Sequence, residues 1–287
     1  MSPPGDHSPS AHARGEGGPM GARGRRRTSA WHWIFYGYCA LLFAFLTLPM
    51  VIVALLSFSA SPYLVVPPPG FSLRWYSAFF ADPIWIDATI RSVKVALSTM
   101  VAATVLGTLL AFSLVRGRYP GRTLVDQVSI APLVVPSIVY SVAIYSFFAQ
   151  LKMIGEWPAI ALAHTVHTLP FVVLIVGASL RTFDVAQEHA AVGLGATRFQ
   201  AITRVTLPQI RPALVSAAFL VFISSFDELV IAMFLGGARM TLPKKMFDNI
   251  MNDIDPTIAA VSVLQIGLVI VALVVTSRFG AGAKPVA

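Results

Sequence analysis

Two acidic residues, Asp227 and Glu228, stand side by side within the apolar run 213–235. An ionised side chain near the centre of a bilayer costs roughly 2.5–3.5 kcal/mol on insertion scales, so such a residue faces protein or water. The pair can line a polar path and attract a cation, or it can bond to neighbouring helices. On a continuous helix it would lie about 20 Å from one end of the run, with the two side chains about 100° apart, so at most one faces a path squarely. His164 and His167 are three residues apart and share a helix face. With no cysteine or acid nearby to complete a metal site, they read as donors of interhelical hydrogen bonds. The chain has no G-x-x-x-x-G-K-[ST], H-E-x-x-H or G-x-S-x-G string. No catalytic residue, metal or cofactor is assigned, and energy from ATP would have to come through another subunit.

A second constellation lies in the polar stretch 181–212, between two apolar runs. It carries Arg198, Arg204 and Arg211, so it stands in water beside a membrane. Its order is helix, break, helix. Ala190 and Ala191 are small enough to let another surface come close. Gly195 can end a first helix with φ > 0, and Thr197 can N-cap a second. Phe199 is a bulky apolar knob on that second helix. Pro208 and Pro212 suit the first turn of a helix, where a missing N–H costs little. The stretch reads as a docking element for a partner, or as an amphipathic helix lying on lipid.

Composition defines the setting of both. Of 287 residues, 56% are hydrophobic and 12% charged, with mean hydropathy +0.74. Soluble domains carry about 25% charged residues. An all-α membrane protein with six spans follows, at about 34–58, 88–115, 128–151, 159–180, 213–235 and 258–275. These make one transmembrane domain over 31–280 and leave no room for a second soluble domain. The net charge of +8 matches the positive-inside bias of membrane proteins, so nucleic acid is not an expected partner. The single cysteine, Cys39, excludes an intrachain disulfide.

Residues 1–30 are rich in Gly, Pro, Ser, Arg and His and are expected to be a disordered tail. Arg23, Arg25, Arg26 and Arg27 would anchor it on the cytoplasmic face or bind lipid headgroups. Trp31 and Trp33 suit the membrane interface. A short helix near 73–80 would put Trp75, Phe79 and Phe80 at the outer interface. Arg91 and Lys94, in the first turns of the second span, could snorkel to headgroups. Pro132 and Pro136 would kink the third span. The segment 236–257, with Asp248, Asp253 and Asp255, reads as a polar external loop, and 281–287 as a short tail. Arginines in the first tail, at 116–122, in 181–211 and at 278 fall on one side. Both termini are therefore expected in the cytoplasm.

The order Ala190-Ala191, Gly195-Ala196, Val205-Thr206-Leu207-Pro208 resembles the EAA loop of ABC importer permeases. The resemblance implies that Glu188, His189, Ala190, Ala191, Gly195, Ala196, Phe199, Leu207 and Pro208 couple to an ATPase. This chain departs from the pattern in two places. His189 stands where the family carries glutamate, with Glu188 one residue early, and Gly193 replaces a frequent second acid. Ser224-Ser225-Phe226-Asp227-Glu228, Thr241-Leu242-Pro243 and Phe71-Ser72-Leu73-Arg74-Trp75-Tyr76 resemble the polyamine branch, the second permease of spermidine/putrescine systems. What this implies is an inner-membrane subunit in a heterodimer of permeases, with an ATPase dimer and an external solute-binding protein. Asp227 and Glu228 would then lie on the substrate pathway. Related branches carry ferric iron or phosphonates. A secondary transporter would need coupling-ion sites and broken helices within one chain, and an enzyme a convergent catalytic constellation; the sequence displays neither.

Overall fold

In the computed structural model of the protein, residues 30–252 and 255–280 are described. The two tails beyond them, with Arg23, Arg25, Arg26 and Arg27, and Asp253 between the two ranges, lie outside those residues. By its contacts the chain divides into two units, Met1–Leu48 and Pro49–Ala287. The first is helical where described, and the second holds the elements that position the functional residues.

Helix α1 spans Ala30–Ser57. An irregular stretch leads to α2, Arg74–Ala81. Trp75 and Phe79 on α2 are buried, at 8% and 5% exposure, while Phe80 is exposed. The cause is local. Trp75 Nε1 donates to the Ser59 carbonyl at 2.8 Å, and Phe79 packs with Trp85 and Phe226.

Helix α3, Pro83–Arg116, starts five residues before the expected span. Pro83 fits its first turn, and the Asp82 side chain accepts from the Ile84 N–H at 2.8 Å. Arg91, expected to snorkel, is instead buried and donates to the Gly155 carbonyl; Lys94 is exposed.

The expected third span is two helices, α4 Arg122–Val134 and α5 Ser137–Gln150, bent by 107°. Pro132 is tolerated inside α4, but Pro136 ends it. A residue before proline is driven out of the α region, and Val135 sits at φ −74°, ψ 126°.

Helix α6, Trp157–Thr182, is the most enclosed element. It packs on α3 through small residues. Gly107 of α3 lies so close to Val172 that a Cβ there would come within 2.6 Å of the valine Cβ. Small residues at a helix crossing let backbones approach, the main source of packing energy when lipid is the solvent.

Four elements fill the polar stretch: α7 Val185–Gly193, α8 Arg198–Ala201, a π-helical turn Ile202–Thr206, and α9 Leu207–Gln209. The last three run on as one rod, which bends by 70° at Ile210 into α10, Arg211–Phe226.

Helix α10 stops earlier than expected. Asp227, Glu228 and Leu229 are not helical, and α11 follows as a separate short helix, Val230–Leu235. The supposed external loop contains α12, Leu242–Asn252, and the chain closes on α13, Thr257–Gly280.

Among the described residues four helices are long and apolar enough to cross a membrane, and the count reaches six if each bent pair is one span. Helices α3, α6 and α10 share a core cluster of Ala103, Ala111, Val172, Val176, Ala217 and Val221.

Candidate functional site: a docking loop and an acidic helix break

The polar stretch folds as its residue types dictate. Gly195 has φ +94°. The Ala196 N–H donates to the Ala191 carbonyl at 3.1 Å and the Gly195 N–H to Val192 at 3.0 Å. This pair of bonds is the Schellman ending of α7, which wants glycine at the left-handed position. Thr197 caps α8 by accepting from the Gln200 N–H at 3.2 Å, while Gln200 Oε1 accepts from the Thr197 N–H at 2.9 Å. A reciprocal box of this kind satisfies two otherwise orphaned donors. Pro208 cannot donate to the Arg204 carbonyl four residues back, and the turn ahead of it widens to the π form.

The residues singled out in this stretch divide between two faces. His189, Ala190, Gly195, Phe199 and Pro208 are exposed, and Ala191 and Ala196 are half-buried. Leu207 packs inward against the cluster shared by α3, α6 and α10. Glu188 also points inward, buried and ion-paired with Arg116 at the end of α3. The outward face therefore presents His189 where the family pattern has glutamate. Leu194 was not singled out from sequence, yet at 91% exposure it is the barest large apolar side chain on the loop, with Phe199 at 75%. Its signal was an apolar residue placed in a turn, where burial is not available.

The acidic pair is not on one helix. Asp227 is exposed, and its Oδ1 accepts from Gln265 Nε2 of α13 at 3.1 Å. Glu228 is half-buried, and its Oε1 accepts from the Val230 and Ile231 N–H groups at 2.9 and 3.2 Å. Glu228 thus caps α11, a structural role, while Asp227 presents a carboxylate at the end of α10. Asp227 bonds to a neighbouring helix, and Glu228 to the start of the helix that follows it.

The histidines also part. His164 is buried, with Nδ1 2.8 Å from Ser225 Oγ on α10, so it makes the interhelical bond expected of it. His167 has no such bond among the described residues and lies against the Tyr140 ring, centroids 5.5 Å apart. Among the described residues no cluster of three or more His, Cys, Asp or Glu could hold a metal.

Residues 103–282 match the family described as the binding-protein-dependent transport system inner membrane component. The chain is 35% identical over 235 residues to the putrescine transport system permease protein PotI of Escherichia coli (strain K12), covering 79% of this chain and 83% of that one. It is 31% identical over 240 residues to the spermidine/putrescine transport system permease protein PotC of Haemophilus influenzae, covering 83% and 92%. Among solved structures, a bacterial ABC transporter involved in the import of the polysaccharide alginate superposes with TM-score 0.67 at 17% identity, covering 91% of this chain and 99% of that one. At that identity the superposition speaks to the fold alone.

Proposed function

Because the chain belongs to the family of binding-protein-dependent transport system inner membrane components, and is the permease of an ABC importer, we propose that its solute is a polyamine. The observation that carries this reading is the exposed Asp227 carboxylate at the break after α10, inside an otherwise apolar span. A fixed negative charge at that depth is costly unless it meets a cation or water. The names of the relatives point to the same class of solute.

In this reading a solute-binding protein delivers the cation, and a second, different permease completes the pathway. The ATPase seats against the face of Leu194, Gly195 and Phe199. ATP-driven closure of the ATPase turns the α8–α9 rod, and the bend at Ile210 passes the motion to α10. The acid at the far end of α10 then meets the solute in one state of the transporter more than in the other. Differential contact of this kind is what lets binding bias a conformational equilibrium. Both termini lie in the cytoplasm, with residues 1–30 and 281–287 as tails of the domain 31–280.

The test is binding of radiolabelled putrescine and spermidine to the cognate solute-binding protein. Saturable binding, displaced by unlabelled polyamine and not by trehalose or phosphonate, supports the proposal. Binding of a sugar, an anion or ferric iron in preference to polyamine rejects it.

A further inference from the structure

Helix α7 has one buried residue, and that residue is charged. Glu188 is 8% exposed, while its neighbours on α7 are exposed or half-buried. Its carboxylate accepts from Arg116, the last residue of α3, 72 positions earlier in the chain. The Arg116 guanidinium lies 5.4 Å from the ring centroid of Phe112, one turn back on α3. It lies equally far from Phe183, the C-cap residue of α6. The guanidinium sits beside both rings and donates to Glu188 through Nη1, while its buried Nε and Nη2 have no hydrogen-bond partner among the described residues. Among the described residues the other side-chain bond from α7 across the loop is donated by Gln209 Nε2 of α9 to Gln187 Oε1.

An ion pair is an unexpected choice for this seat. Removing two charges from water offsets most of their attraction, and well-packed apolar side chains would hold a helix as firmly. What the pair adds is a single charge-assisted hydrogen bond, from Arg116 Nη1 to Glu188 Oε2, stronger than a neutral one and lost if α7 slides away from α3. That property matters if α7 is pushed. The rod α8–α9 runs on into α10, and α7 follows α6 after Phe183 and Asp184, whereas the side-chain link from α7 to α3 is Glu188. Helices α3 and α10 then meet in the same cluster on α6.

We propose that Arg116 and Glu188 are a positioning pair that transmits displacement of α7 to α3, so that the loop acts on α3 as well as on α6 and α10, the helices it joins in sequence. This rests on the reading of residues 185–209 as the ATPase-docking loop. Glu188 turns its back on the docking face, so its removal leaves the dock in place and cuts the link to α3 alone.

The experiment uses the whole complex, with its ATPase and binding protein, reconstituted in proteoliposomes. Glu188→Gln, Arg116→Gln and the exchange Glu188→Arg with Arg116→Glu are compared for ATPase copurification, ATP hydrolysis and radiolabelled putrescine uptake. Each single variant is expected to keep the ATPase and hydrolyse ATP within about twofold of the parent. Uptake should fall about tenfold, within the usual range of coupling between sites, so ATP spent per putrescine rises about tenfold. The exchange should bring that ratio back towards the parent. An unchanged ratio in both single variants, or an exchange no better than either, overturns the proposal. So does loss of folded permease or of bound ATPase from the single variants, since the pair would then hold the loop's shape instead of passing its motion. Failure of the docking reading itself looks different: the ATPase would then stay bound when the outward face is altered at Leu194 or Phe199.

Discussion

His164 Nδ1 and Ser225 Oγ lie 2.8 Å apart, joining α6 to α10 two residues before the chain leaves the helix at Asp227. Both side chains are buried. The bond fixes the end of α10 and with it the place from which Asp227 projects. Ser225→Ala leaves a buried imidazole nitrogen without its partner, which costs about 1–2 kcal/mol. Thermal unfolding in detergent should register that loss, and Ser225→Thr, which keeps a hydroxyl, should restore most of it. Equal stability of Ser225→Ala and the parent would remove the bond from the account.

The two acids are expected to separate under mutation. Glu228→Gln keeps the Oε1 acceptor for the Val230 and Ile231 N–H groups and should leave uptake near the parent's. Asp227→Asn removes the exposed charge while keeping size, and should lower polyamine uptake about tenfold with the amount of folded complex unchanged. The reverse order of effects would assign the pathway to Glu228.

Gly195 has nothing within 4 Å of where a Cβ would be, so its requirement is set by φ +94° alone. A β-branched residue there carries about 1–2 kcal/mol of strain, and Gly195→Val should weaken copurification of the ATPase. Gly195→Asn, which tolerates the left-handed region, should keep it. If the valine variant retained the ATPase and full uptake, the loop would not be the dock.

At the α3–α6 crossing the obstacle is volume instead of φ. Gly107→Ala would force its methyl group onto Val172, with an overpacking cost of about 1–3 kcal/mol. Pairing it with Val172→Ala should recover part of the loss, because residues in contact are not additive. Melting temperatures of the two single variants and the double variant provide the check.

The topology is open to labelling in a background of Cys39→Ser, since Cys39 is exposed. Cysteines at Gly70 and Ala238 should react with an impermeant thiol reagent from outside. One at Thr123, in the first turn of α4, should react only after the membrane is opened. Labelling of Thr123→Cys from outside would invert the arrangement of the loops.

Where local chemistry decides, the sequence was a sufficient guide. Gly195, Thr197, and Pro212 at the start of α10 each impose their geometry within a few residues, and the structure places them so. The long spans were legible because an apolar run of that length has few other uses. What escaped was long-range or competitive. Pro136 reads as a kink or a break with equal ease, and only the packing of α4 and α5 gives the 107° bend. The end of α10 was hidden because Asp227 and Glu228 sit inside an unbroken hydrophobic pattern. That Glu228 can close a new helix start became visible only with the backbone donors in place. The Arg116–Glu188 pair joins residues 72 apart, and no local rule could choose that arginine over the others on the same side.

The central claim is that ATP drives a polyamine through this permease. The most direct measurement is uptake of radiolabelled putrescine and spermidine into proteoliposomes that carry the complete complex, with ATP inside and loaded binding protein outside. Accumulation is expected to need ATP and the binding protein, to be competed by unlabelled polyamine, and to fall about tenfold in Asp227→Asn. Accumulation of trehalose, a phosphonate or ferric iron under the same conditions, with none of polyamine, would contradict it.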